Sequence, residues 1–137
     1  MRYTLFEKYR DGLILFARIL LVLLFVKFGL MKVGSFGDTA AYMAQNGLPA
    51  PSLMTFIAVL MELVVGIALV LGFYTRPLAL ILAFYTVIAA LIGHPYWHMS
   101  GDTQYESMIN FYKNFSIAGG LLLLMVLGPG KYSLDRR

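Results

Sequence analysis

Four stretches of the chain stay apolar long enough to cross a bilayer, and most polar residues fall between them. The first runs from Leu13 to Met31, the second from Ser52 to Phe73 and the third from Pro77 to Gly93. The fourth runs from Phe115 to Leu127 and is extended at its start by the Asn110–Asn114 stretch. A helix needs about 20 apolar residues to cross a hydrocarbon core about 30 Å thick. Only helices and closed barrels satisfy their backbones in lipid, and continuous apolar runs of this length predict helices. The expected fold is all-α: a polytopic membrane protein, a four-transmembrane-helix bundle, with residues 1–137 as one membrane domain.

The links between spans carry their own signals. Gly72, Thr75, Arg76 and Pro77 predict a tight turn, with Pro77 starting the third helix. In the first loop, Phe36, Tyr42 and Met43 alternate with polar residues. That pattern predicts an amphipathic segment over the bundle mouth, with Asp38 as its cap and Gly47 to Pro51 ending it. The third loop, His94 to Lys113, contains Pro95 between two histidines, which argues against a regular helix at that point. Small residues such as Gly66, Ala68, Gly72, Ala79, Ala83, Ala118 and Gly119 predict close helix packing.

Composition agrees with this class. The chain is 60% hydrophobic and only 13% charged, against about 25% charge in a soluble domain. Arg18 and Lys27 interrupt the first apolar run, and no small-residue cleavage site follows it, so it reads as a retained helix. There is no cysteine, which removes disulfides, thiolate catalysis and iron–sulfur ligation. The eight methionines are scattered and suit apolar packing.

The net charge is +4, but the cations do not form a nucleic-acid patch. Arg2, Lys8, Arg10, Arg76, Lys131, Arg136 and Arg137 fall on one side of the expected topology, and Lys32 and Lys113 on the other. The positive-inside rule then places both termini in the cytoplasm.

Glu62 is the most informative residue, because it lies midway along the second span. A carboxyl group at bilayer depth must be paired, protonated or turned to a polar cavity. Arg18 and Lys27 in the first span are its candidate partners, Lys27 being nearer in depth and Arg18 having the longer reach. Nine residues apart on one helix, they face opposite sides, so only one is expected to meet Glu62. Two roles follow. Either an Arg18–Glu62 pair fixes helix register while Lys27 turns outward, or Glu62 carries a proton or binds a ligand with Arg18 as its charge partner.

A second polar group lies on the later spans. Tyr85, Asn110 and Asn114 can glue the helices together or face a ligand, and Asn110 and Asn114 share a helix face. His94 belongs to a polar lid or to an aromatic interfacial anchor with Tyr96 and Trp97. His94, His98, Asp102 and Glu106 match no recognised metal motif, and no metal is expected. Nucleotide loops, dinucleotide fingerprints, catalytic triads and heptad repeats are missing from the sequence.

The sequence resembles the DoxX family of small four-helix membrane proteins. The resemblance rests on Arg18, on Gly29-Leu-Met-Lys32, on Glu62 followed by Gly66, on Leu71-Gly-Phe-Tyr-Thr-Arg76, and on the terminal Gly128-Pro-Gly-Lys-Tyr-Ser-Leu-Asp135. His94-Pro-Tyr-Trp97 and Met108-Ile-Asn-Phe-Tyr-Lys-Asn114 look closest to uncharacterised enterobacterial members. The resemblance implies a multi-pass protein of the bacterial inner membrane, with Arg18, Lys32 and Glu62 as its polar core. Some family members are linked to quinone-dependent sulfur oxidation and others to oxidative or electrophile stress.

The leading functional expectation is an intramembrane site at Glu62 and Arg18 that binds a quinone or small electrophile, alone or as a subunit of a redox or stress-response complex. Candidate ligand-binding residues are Arg18, Lys32, Glu62, Tyr85, His94, Asn110 and Asn114. The alternatives are a non-catalytic assembly component and a small proton-linked permease acting as an oligomer. Expected partners are membrane lipids, a second copy or a redox protein, and an apolar ligand; nucleic acid is not among them.

Overall fold

The structure is a computed structural model and describes residues 5–136. The topology cations Arg2 and Arg137 lie outside the described residues. The helices are α1 (Arg10–Gly34), α2 (Phe36–Gln45), α3 (Pro51–Leu71), α4 (Thr75–Gly93) and α5 (Gly101–Leu127). Short 3-10 turns at Glu7–Tyr9 and Tyr96–His98 precede α1 and α5, and no strand occurs among the described residues. Helices α1, α3, α4 and α5 are each long and apolar enough to span a membrane. The fold is all-α and polytopic, as its apolar pattern predicts.

The chain divides into two compact units. The first contains α1 to α3 and the C-terminal segment from Pro129; the second runs from Tyr74 to Gly128.

In the first unit, α1 buries Arg18, Val22, Phe25 and Gly29, spaced four, three and four residues apart on one face. Antiparallel to it, α3 buries Thr55, Ala58, Glu62, Val65, Gly66 and Leu69. Gly29 sets the closest approach. A Cβ there would stand 2.7 Å from the Leu63 amide nitrogen, so only glycine lets the backbones meet. Gly66 answers it from α3 and packs beside Val26 and Phe25. Of these two glycines, packing in the sequence pointed only to Gly66.

The amphipathic segment of the first loop is helix α2. It packs on the start of α3, where the Thr55 hydroxyl donates to the Met43 sulfur at 3.4 Å. Phe36 and Tyr42 are exposed, whereas Met43 is half-buried. Asp38 lies inside the first turn; the N-cap position belongs to Ser35, which makes no side-chain cap. The acid therefore acts on the helix dipole and not as a cap.

After Gly128 the chain forms a strap along one end of this unit. Leu134 N–H donates to Leu71 C=O at 3.0 Å, and Asp135 N–H to Gly72 C=O at 2.9 Å. Lys131 N–H reaches Asp11 Oδ1 at 3.2 Å. Gly72 turns left-handed at φ 70° to end α3, and a Cβ there would stand 2.2 Å from that of Ser133. The start of α1, the end of α3 and the C-terminal strap thus share one end.

In the second unit, α4 buries Ala79, Leu82, Ala83, Thr86 and Ala90. Asn114 Nδ2 of α5 donates to Thr86 C=O at 3.2 Å, and Arg76 Nη1 caps the far end of α5 at Met125 C=O, 3.0 Å, and at Val126 C=O. Several boundaries differ from the sequence expectation. The first span starts at Arg10 and continues to Gly34, and the third helix starts at Thr75, two residues before Pro77. Most of the expected third loop is helix, because α5 begins at Gly101. Its polar start hides the period, yet Ser107, Phe111, Asn114, Ala118 and Leu121 recur every three or four residues on its covered side. Pro95 does interrupt helix at the histidines, leaving only the Tyr96–His98 turn there.

Orientation is testable because the native chain has no cysteine. A single cysteine replacing exposed Arg136 should resist an impermeant thiol reagent in intact cells, while one replacing exposed Ser100 should react. The opposite pattern would invert the topology.

Candidate intramembrane ion-pair site

Glu62 is 7% exposed and sits in a π-helical turn, Leu60–Val64, closed by the Val65 N–H to Leu60 C=O bond. Such single π turns within α-helices occur frequently at functional sites. The wider turn keeps Ala58, Glu62 and Gly66, each four residues apart, on the buried face of α3.

Its ion-pair partner is Lys32. Nζ lies 2.8 Å from Glu62 Oε1, with the lysine side chain 25% exposed and the glutamate side chain 9%. The geometry follows from helix direction. Helical side chains lean toward the N-terminus of their own helix. In antiparallel helices Lys32 therefore leans down α1 while Glu62 leans up α3, and the two meet across roughly one turn. Gly29, one turn before Lys32, brings the backbones close enough for the pair to close.

The expected Arg18–Glu62 pair is corrected by this arrangement. Arg18 stands beside Gly72, where its Nη1 is 3.3 Å from the position a Cβ would take. Glu62 lies ten residues back along α3, about 15 Å by helical rise. Depth counted from the apolar run alone misled, since α1 begins earlier and continues later than that run. Lys27 is exposed on the other side of α1 from Arg18, as their nine-residue separation predicts. From sequence only the family motif points to Lys32, because the apolar run ends at Met31 and leaves Lys32 as the first residue of the loop, whereas it lies in the last turn of α1.

Arg18 instead knots the C-terminal strap. It is 2% exposed. Nη1 donates to Pro129 C=O; Nη2 donates to Val70 C=O at 2.8 Å and to Tyr132 C=O at 2.7 Å. These carbonyls come from the end of α3 and from the strap, so one guanidinium satisfies acceptors that would otherwise be buried without donors. Asp135 adds favourable electrostatics. Arg18 Nε is buried with no acceptor among the described residues.

Tyr85, His94, Asn110 and Asn114 all belong to the second unit. Asn114 is committed to the α4 backbone, the gluing role weighed for it from sequence. Tyr85, His94 and Asn110 are half-buried. Tyr96 and Trp97 pack edge-on against each other and against Phe111, a ring cluster suited to the membrane–water interface. No group of three His, Asp or Glu side chains is placed to share a metal ion among the described residues.

The model of the DoxX family matches residues 13–95, which include Arg18, Lys32 and Glu62. Inner membrane protein YphA of Escherichia coli K12 is 53% identical over 137 residues, covering 100% of this chain and 98% of that protein. Inner membrane protein YqjF of the same organism is 37% identical over 130 residues, 95% of each chain. A Surfeit locus protein 4 homolog of Schizosaccharomyces pombe is 31% identical over 70 residues, 50% of this chain and 23% of that protein. No solved structure matches the chain.

Buried Arg18 and exposed Lys27 should respond differently to substitution. Arg18→Ala leaves three carbonyls without their donor and should lower unfolding stability in detergent by about 3 kcal/mol, with Arg18→Lys recovering part of the loss. Lys27→Ala should change stability by less than about 0.5 kcal/mol. Thermal unfolding of the three variants checks both, and equal losses at Arg18 and Lys27 would remove the strap-knot role.

Proposed function

Since the chain belongs to the DoxX family of small, multi-pass bacterial inner-membrane proteins, we propose that its Lys32–Glu62 pair is a ligand site for an apolar molecule bearing a carbonyl or hydroxyl oxygen, a quinone or small electrophile. The single observation that carries this reading is the pair itself: an ammonium and a carboxylate in contact at 2.8 Å, the carboxylate on a π turn, beside the apolar packing of Phe25, Val26 and Val65.

The pair offers both halves of a hydrogen-bonding site. The Lys32 ammonium donates to a carbonyl oxygen, and the Glu62 carboxylate accepts from a hydroxyl. Because the two charges cancel, a neutral ligand enters without burying net charge. Apolar walls with a few convergent polar groups are the usual make-up of small-molecule sites. The partial exposure of Lys32 gives the ligand a way in from the end of α1. Arg18 takes no part in this site; it holds the strap at the other end of the same helix.

Mass spectrometry of organic extracts from gently purified protein tests the reading. We expect a stoichiometric quinone or related carbonyl compound in the native protein and its loss in Glu62→Gln and in Lys32→Met. Extracts that contain only bulk lipid in all three samples would count against it.

A further inference from the structure

The strap end of the first unit has a feature that the ion-pair site does not use. An open depression of about 530 Å³ lies between the start of α1 and the strap. Lys8, Tyr9, Gly12 and Leu13 line it from one side, and Lys131 and Tyr132 from the other. We propose that this depression binds the phosphate headgroup of an anionic phospholipid, with Lys8 and Lys131 as its two cationic contacts.

Charge is the first support. Among the described residues, neither Lys8 nor Lys131 makes an ion pair; Lys8 lies over the Tyr9 ring, 5.9 Å from its centroid. The one acid in the wall, Asp11, is already engaged. Its Oδ1 accepts from the Lys131 main-chain N–H at 3.2 Å and faces Arg10 at 3.9 Å. The depression therefore presents two free ammonium groups and a carboxylate that is partly satisfied.

Rigidity is the second. Lys131 sits on a locked backbone: its own N–H holds Asp11, the preceding Gly130 is buried against Ile14, and the following Tyr132 C=O is held by Arg18. The cation is presented by a fixed strap and not by a free tail. Gly12 leaves open space where a side chain would project.

Position is the third. Leu13 begins the apolar run of α1, so the depression lies at the membrane boundary, where phosphates reside. Leu13, Phe16, Leu20 and Leu23 are exposed along α1 and continue away from it, an apolar track suited to acyl chains. A free phosphate ion would use only the two lysines; a phospholipid uses the track as well.

Native mass spectrometry of the full-length protein, equilibrated in mixed micelles of equal phosphatidylglycerol and phosphatidylcholine, reads the proposal. We expect preferential retention of one phosphatidylglycerol. Lys8→Gln with Lys131→Gln should cut that preference at least about tenfold. Gly12→Leu, which fills the depression, should cut it too, and Lys113→Gln on α5, which does not line the depression, should leave it intact. Unchanged thermal unfolding is expected for each, since these side chains are exposed. Equal retention of the two lipids, a preference that survives the double substitution, or an equal loss in Lys113→Gln would overturn the proposal. Displacement of the lipid by millimolar inorganic phosphate would also overturn it, by assigning the depression to the free ion.

Discussion

A charge inside a bilayer must find its counter-charge or its hydrogen-bond acceptors within the reach of one side chain, and the first unit is arranged around that constraint. Glu62 finds Lys32 at 2.8 Å. The contact needs close backbones, which Gly29 supplies, and it needs Glu62 on the face of α3 that meets α1, which the π turn supports. A larger residue at Gly29 would push the helices apart at the level where the pair closes.

Arg18 meets the same constraint by another route. It has main-chain carbonyls around it, and those carbonyls belong to segments far apart in sequence, the end of α3 and the strap after α5. One buried cation therefore converts a C-terminal segment into part of the first unit. The strap in turn fixes Lys131 near the start of α1 and shapes the depression there. The unit thus has two polar centres separated by apolar packing at Val22, Phe25, Val65 and Leu69, the Lys32–Glu62 ion pair and the Arg18 knot of the strap.

The class of protein was legible in the sequence because lipid imposes long apolar helices, and that constraint is written in hydropathy. The existence of α2 was legible from its alternation, and the opposite facing of Arg18 and Lys27 from helical geometry. What failed were boundaries and partners. The polar first half of α5 looked like a loop, since its period emerges only when Ser107 and Asn114 are counted on the covered face. The partner of Glu62 was misassigned because depth was measured from apolar runs. Polar residues extend helices past those runs, and Lys32 lies in such an extension. The strap leaves no mark in hydropathy, since it is held by contacts between distant segments. Gly72 and Gly130, both left-handed, are the trace the strap leaves in the sequence.

If the Lys32–Glu62 contact organises this unit, exchanging its charges should preserve it. Thermal unfolding in one detergent of Lys32→Glu, Glu62→Lys and the two combined is the direct measurement. Each single reversal places like charges together and should destabilise strongly, while the double reversal should recover about 1–3 kcal/mol relative to the sum of the singles. Losses that simply add in the double variant would mean that the two groups do not interact, and would contradict the central role given to the pair.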